Sequence, residues 1–543
     1  MLAVFLSVAL TLQKLEFSSG AENLVVNTVL EMERGGPRLV PNLMGQPRTA
    51  KPPLAAWVSW IGVREQTVRG IESSSPSVRD SAYRALSWDV RWVPLACICL
   101  GLLAVYDMAR TLGGRSLGLV SVLICASTLM FLRFSRNAST DIQLATWVWV
   151  TWAFLARWIL RGEVWQGAVG TGIALGLALM SKGPVALVQT VLPAVLFILI
   201  VRKSRSAPVS FRGRAAWALA VMLTLVLGVG GWWFAVVWLR DPGVAQQWLR
   251  EVSRVGATDL EPDAWYNYLA FPAWMFPWTI FLLVGLWQSS RNLLRRIEDP
   301  AMLCLLAVVV PIVVMSFFRD RKERYLLPVI APASVVAATA LLGVSKARQR
   351  AWSEALLLFH VLGLGALLIG IPIAGVFPSA LRTVEGGAWY PVGIGVGAAV
   401  VGIVVISFIA VYGRRCPIRL SAATLACMLA FQALFVEGYR NSREGRSEMR
   451  PLADAVRARC PDAAVWSVEP RGRRAPSDLA IYLNRVVTPV RAFSDIPVVP
   501  GEQVAVLSRR RSQPPVEFPP GWVEFKSVPR DNSTWHAAYR RVP

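Results

Sequence analysis

Runs of apolar residues, each long enough to cross a bilayer as a helix, follow one another through most of this chain. About 17–25 such residues suffice for one crossing, and the length rule predicts about thirteen spans. The first, Leu2–Leu12 with an extension toward Phe17, is short. It reads as a truncated span, because no small-residue cleavage site of the kind that follows a signal peptide comes after it. A long polar segment runs from Ser18 to Arg91. Later spans centre near Leu100, Cys125, Val150, Leu175, Leu192, Leu225, Phe276, Val309, Val335, Leu364, Val400 and Leu429.

Composition agrees with this pattern. Charged residues make up 17% of the chain and hydrophobic residues 55%. A soluble domain averages about 25% charged, which argues against a soluble multidomain protein. The net charge of +23 raises nucleic acid and an anionic membrane surface as partners. Most Lys and Arg sit in short loops between apolar runs, which is the pattern of topology signals, and no basic, aromatic-interleaved soluble domain precedes the tail. The seven cysteines show no CxxC or Cys/His pairing, so neither zinc nor a disulfide framework is supported. His360, inside an apolar run, reads as a packing residue.

With a cytoplasmic N-terminus, the cytoplasmic loops contain Arg110/Arg115, Arg161, Arg202/Lys203/Arg205/Arg212/Arg214, Arg291/Arg295/Arg296, Lys346/Arg348/Arg350 and Arg414/Arg415/Arg419. All are basic, as the positive-inside rule requires. Some cations then stand on the wrong side. They are the loop Arg319–Arg324, Lys182 in the turn Ser181-Lys182-Gly183-Pro184, Arg133 and Arg136 ahead of Asp141, and Lys51 in Ala50-Lys51-Pro52-Pro53. Taken as a set, outward cations suggest an anion-binding face, because Lys and Arg pair strongly with phosphate. The outer loop Asp241–Asp263 leads into Trp265-Tyr266-Asn267-Tyr268, which fits an interfacial aromatic belt or the wall of a sugar site.

The reading divides the chain into a membrane domain, residues 1–440 including the outer loop 18–91, and an extracytoplasmic α/β unit, residues 441–543. In the tail, Pro451–Arg459 and Asp478–Asn484 are predicted helices. Ala463–Val468, Val486–Val490, Gln503–Leu507 and Trp522–Phe525 are predicted strands.

Several outer-face pieces occur in a recognisable order. They are Ala21-Glu22 with Glu31-Met32, then Gly36-Pro37-Arg38-Leu39-Val40-Pro41-Asn42-Leu43 with Gly45, then Lys51-Pro52-Pro53-Leu54. Arg136-Asn137 with Asp141, Ser181-Lys182-Gly183-Pro184, Leu239-Arg240-Asp241-Pro242-Gly243, Tyr266–Tyr268, Pro277-Trp278 and Arg324-Tyr325-Leu326-Leu327-Pro328 follow. Over residues 1–345 the chain resembles the lipid-linked-sugar glycosyltransferases of the GT-C type. The nearest are the aminoarabinose transferase and protein-mannosyltransferase-like families (families 39 and 83).

The resemblance implies a polytopic α-helical GT-C fold and transfer of a sugar from a polyprenyl-phosphate carrier to a lipid, glycan or protein hydroxyl outside the cytoplasmic membrane. Lipid A modification and protein glycosylation are the processes it brings to mind. It implies inversion at the sugar and no nucleotide, and no Gly-rich phosphate loop opening a Rossmann-type domain is present. Residue by residue, it implies that Lys51, Arg254, Arg324, Tyr325 and Lys182 hold the donor phosphate and that Glu22 and Asp141 carry the base. The departures are specific. Ala21 stands where the family has the first acid of an Asp-Glu pair, and Ala50 where near relatives carry a metal-holding Glu. A His expected near Glu251 is absent. No cofactor is called for, and the usual ligands of a divalent metal are unmatched. The alternatives are a flippase or transporter for a lipid-linked sugar, and an inactive carrier-binding homologue. A transporter would carry charges near mid-membrane.

Overall fold

The structure is a computed structural model. It describes residues 1–17, 20–202, 214–252, 264–295, 301–318, 320–346, 352–365, 416–443, 449–469, 476–510, 513–514, 516–530 and 533–543. Among them, four helices are long and apolar enough to cross a membrane: Pro76–Ser127, Val164–Lys182, Arg214–Arg240 and Glu323–Ser345. A fifth candidate is a broken pair, Tyr266–Trp274 and Thr279–Leu294, bent by 113°. Shorter apolar helices run over Val185–Ile200, Ala301–Ser316, Trp352–Gly365 and Pro417–Ala433. The spans expected near Leu100 and Cys125 share one 52-residue helix, Pro76–Ser127. Its length of about 78 Å exceeds a bilayer twofold. Non-helical dihedrals at Gly113 and Gly114 break it into two limbs. The span expected near Val400 lies outside the described residues. Leu103, Trp217 and Phe317 are exposed, as lipid-facing side chains on an integral membrane protein are.

The helices Thr140–Arg161 and Val164–Lys182 form an antiparallel hairpin. Gly162, in the left-handed region at φ 69°, ends the first helix, with its N–H bonded to the Trp158 carbonyl at 3.2 Å. Gly183, at φ 79°, ends the second, and Pro184 restarts the chain into the helix Val185–Gln189. A two-residue link therefore brings the start of one helix beside the end of the other. Small residues let neighbouring helices approach this hairpin closely. A Cβ on Gly101 would lie 2.6 Å from the Trp149 ring, and one on Gly230 2.6 Å from the Gly176 carbonyl oxygen. His360 sits stacked on Trp278 at 4.5 Å, with both ring nitrogens near partners, the Pro277 carbonyl and the Thr424 hydroxyl. It packs the bundle.

The polar segment after the first short helix (Leu2–Ala9) holds the helices Gly20–Glu33, Leu54–Ile61 and Glu65–Ile71, and a small antiparallel pair, β1 (Asn42–Leu43) and β2 (Gln46–Pro47). The tail has helices at Arg450–Arg459 and Ser477–Leu483. Its strands are β3 (Ala464–Val468), β4 (Val487–Val490), β5 (Gly501–Arg510), β6 (Val523–Arg530) and β7 (Ser533–Val542). The sheet order is β4-β3-β5-β7-β6. β3 runs parallel to β4 and β5, with Val465 opposite Val487 and Val504, and β7 runs antiparallel to β5 and β6. The last strand, β7, has no counterpart among the predicted elements.

The tail packs on the polar segment. Val26, Leu30, Ile71, Tyr83 and Leu86 share one buried core with Leu452, Val456, Leu479, Ile481 and Val504. Hydrogen bonds cross the contact from Asn27 to the Ser477 carbonyl (2.6 Å), from the Tyr83 hydroxyl to the Tyr482 carbonyl (2.8 Å) and from Arg34 to Asn484 (2.8 Å).

Candidate active site at the Asp141 end of the bundle

Asp141 lies in the first turn of the helix Thr140–Arg161, where the helix dipole favours a carboxylate. Lys182 closes the helix Val164–Lys182, where the dipole favours a cation. The hairpin sets these ends side by side, and the Lys182 ammonium donates to Asp141 Oδ1. Arg324 Nε lies 3.4 Å from Asp141 Oδ2. The Tyr325 ring lies over both cations, with Lys182 Nζ 3.8 Å and the Arg324 guanidinium carbon 5.4 Å from its centroid. The negative face of an aromatic ring attracts such charges. The Tyr325 hydroxyl donates to Asp320 Oδ2 at 2.6 Å, and Lys322 Nζ is 3.7 Å from Asp320 Oδ1.

Four sequence-selected residues, Asp141, Lys182, Arg324 and Tyr325, thus form one cluster. Their frame is a set of side chains that sequence reasoning did not single out. Trp149 Nε1 donates to the Pro328 carbonyl (2.9 Å) and Trp152 Nε1 to the Gln189 carbonyl (3.1 Å). Gln189 Nε2 donates to the Tyr325 carbonyl (3.0 Å), holding the 3-10 turn Glu323–Val329 against the helix Val185–Gln189. The cluster of Asp141, Lys182 and Arg324 carries one carboxylate and two cations. Asp141 is buried, whereas the Arg324 side chain keeps 30% of its surface open, so an incoming anion can reach it.

Glu22 stands in a second group. It is 1% exposed, on the helix Gly20–Glu33. Oε1 accepts from Arg91 Nε (2.8 Å) and from the Ala138 N–H (2.9 Å), and Oε2 accepts from Arg91 Nη2 (2.9 Å). Arg91 also donates to the carbonyls of Leu12, Leu15 and Glu16. The pair therefore fastens the end of the first span, the polar segment and the turn before Asp141 together. No hydrogen bond or ion pair joins Glu22 to Asp141, Lys182, Arg324 or Tyr325. Arg136 lies beside this pair. Burial, and then repulsion from Arg91, pushes its guanidinium down to about 10, with Glu22 acting in the opposite direction.

Lys51 is half-buried in the turn before the helix Leu54–Ile61. That turn is tied on two sides. Arg48 donates to the Leu24 carbonyl (3.1 Å) and the Thr28 hydroxyl (2.9 Å). Thr49 bonds to Gln247 (2.6 Å), and Trp248 Nε1 donates to the Thr49 carbonyl (2.9 Å). Gln247 and Trp248 belong to the helix Val244–Val252, which ends two residues before Arg254. Arg254 itself lies outside the described residues. Ala50 has no side-chain donor atom for a metal. Among the described residues, no group of three or more His, Cys, Asp or Glu is placed to hold one.

The fold matches that of ArnT from Cupriavidus metallidurans bound to undecaprenyl phosphate, with a TM-score of 0.71 over 99% of this chain and 97% of that one, at 18% identity. The fold is that of the GT-C membrane glycosyltransferases. Residues 84–233 match the family described as dolichyl-phosphate-mannose-protein mannosyltransferase, and residues 260–380 the Alg9-like mannosyltransferase family. The chain is 28% identical over 260 residues to an undecaprenyl phosphate-alpha-4-amino-4-deoxy-L-arabinose arabinosyl transferase of Yersinia pestis (strain Pestoides F). That match covers 46% of this chain and 45% of the relative, so it spans less than half of the relative's length. A relative of the same name from Yersinia enterocolitica is 26% identical over 57% of this chain and 52% of its own.

Proposed function

We propose that the chain is a GT-C glycosyltransferase that moves a sugar from a polyprenyl phosphate, undecaprenyl phosphate by analogy with its relatives, to an acceptor hydroxyl. Its site faces the extracytoplasmic side of the inner membrane, as the loop charges favour. The observation that carries the reading is the Asp141–Lys182–Arg324–Tyr325 cluster. It combines a buried carboxylate with two cations, one of them reachable from outside.

The chemistry follows from those groups. The acceptor oxygen attacks the anomeric carbon, its proton passes to an Asp141 oxygen, and the bond from that carbon to the phosphate oxygen breaks. The electron pair leaves with the phosphate, where Lys182, Arg324, Lys51 and Arg254 hold the growing charge and Tyr325 lines the site. A donor phosphate competes with Asp141 for Lys182 and Arg324. Binding it draws the two cations toward the phosphate and leaves an Asp141 oxygen free to accept the proton. Glu22 takes a positioning role, because Arg91 and the Ala138 N–H occupy both of its oxygens.

Ala21 favours a second reading, a carrier-binding protein without turnover. A transporter finds less support, because the charges gather at one end of the hairpin. Purified protein offered polyprenyl-phosphate sugars separates the first two. Transfer supports the enzyme, carrier binding without transfer the second reading, and neither binding nor transfer removes the proposal.

A further inference from the structure

Arg136 stands apart from every other cation of the site. It is 8% exposed, yet among the described residues it makes no hydrogen bond or ion pair, and its Nε is buried without a partner. A guanidinium has five N–H donors. One of them, Nε, is dry and unpaired, which is unfavourable. The one carboxylate that acts on it, Glu22, is already held in a two-point pair by Arg91, whose donors are all used. Glu22, Arg91 and Arg136 therefore carry one positive charge in excess. Ala21, the neighbour of Glu22, supplies no acid to balance it.

We infer that Arg136 binds a second oxyanion, a carboxylate or phosphate carried by the sugar or the acceptor and distinct from the carrier phosphate. Two observations place that anion beside the turn that leads into Asp141. Arg136 lies five residues before Asp141, in a turn closed by the Ser139 N–H on the Asn137 carbonyl (2.8 Å). The same turn is tied to Glu22 through the Ala138 N–H. The carrier phosphate has its own cations, Lys182 and Arg324, both paired with Asp141. A sugar bearing an ammonium group has the wrong charge for this position. The inference rests on the reading of the chain as a carrier-dependent transferase.

The test uses full-length protein in detergent, saturated with undecaprenyl phosphate so that the carrier site is filled. Thermal stabilisation is then titrated with glucuronate, inorganic phosphate and, as a neutral control, glucose. Wild type is expected to respond to one of the anions and not to glucose. A glucuronate response identifies the bound group as a carboxylate, and a phosphate response identifies it as a phosphate. The midpoint should weaken at least ~10-fold in Arg136→Met, and less in Arg136→Lys, which keeps the charge but loses the fork. Without ligand, Arg136→Met should melt no lower than wild type, because it removes an unpaired buried charge. If Arg136→Met does not fold, the Arg136→Lys titration decides alone. No anion response in wild type, or equal midpoints in wild type and variant, overturns the inference. Failure of wild type to bind undecaprenyl phosphate overturns the transferase reading instead.

Discussion

Asp141 and Lys182 belong to opposite strokes of one helical hairpin, and their side chains meet at its open end beneath the ring of Tyr325. The contact is electrostatic and buried, with side-chain exposures of 4% and 11%. Removing Lys182 leaves the buried carboxylate to the longer contact with Arg324 alone, whereas removing both takes the buried pair out together and leaves only the part-exposed Arg324. Lys182→Met should therefore lose about 3–5 kcal/mol of stability. Asp141→Asn/Lys182→Met should lose clearly less than the sum of the single variants. Thermal unfolding in detergent checks this, and additive losses would mean that the two charges do not sense each other.

The Glu22–Arg91 pair predicts a different signature. Glu22→Gln should lower the melting temperature, because it leaves Arg91 without its charge partner in a buried setting. Its turnover per folded molecule should fall by less than about tenfold, far short of the 10²–10⁴ expected on losing a general base. Paired measurement of kcat and Tm distinguishes the two. A large fall in kcat at unchanged Tm would return Glu22 to the chemistry.

The extent to which this was legible in the sequence differs between residues. Asp141 and Lys182 stood out because they are charges at the ends of apolar runs, and the Lys182-Gly183-Pro184 turn announces a helix end. Their meeting follows from the short Gly162–Glu163 link, which forces the two helices antiparallel. What could not be read was the partner of each charge. Glu22 looked available as a base, and its capture by Arg91 depends on a contact 69 residues away along the chain. Arg136 was visible as one outward cation among several, but its isolation is a property of packing. Four of the five tail strands were readable from the sequence pattern, and β7 was not. That the tail shares a core with the polar segment was not, because apolar residues such as Leu479 and Val26 do not name their neighbours.

Lys51 sits in a turn fixed to both the helix Gly20–Glu33 and the helix Val244–Val252. With the turn anchored by Arg48 and Thr49, Lys51→Ala should keep the fold and weaken carrier binding. The loss expected for a charged hydrogen bond to phosphate is ~2–3 kcal/mol. Titration with undecaprenyl phosphate measures it, and an unchanged Kd would make Lys51 a plain loop charge.

Ala21→Asp asks whether the missing acid matters. With Asp141 as base, the new carboxylate should add no activity. It should also blunt any anion response at Arg136, by supplying a negative charge beside Glu22 in the same helical turn. The readout is transfer rate alongside anion titration. A silent wild type that gains transfer on Ala21→Asp would favour the reading without turnover.

The most direct test of the account is the Asp141→Asn variant, assayed for both transfer from a polyprenyl-phosphate sugar and binding of undecaprenyl phosphate. The amide keeps the shape of the carboxylate but cannot take a proton. The account predicts that transfer falls at least ~100-fold, while carrier binding persists or tightens because Lys182 and Arg324 are released to the phosphate. Full-rate transfer by Asp141→Asn, or loss of carrier binding in a folded variant, would contradict it.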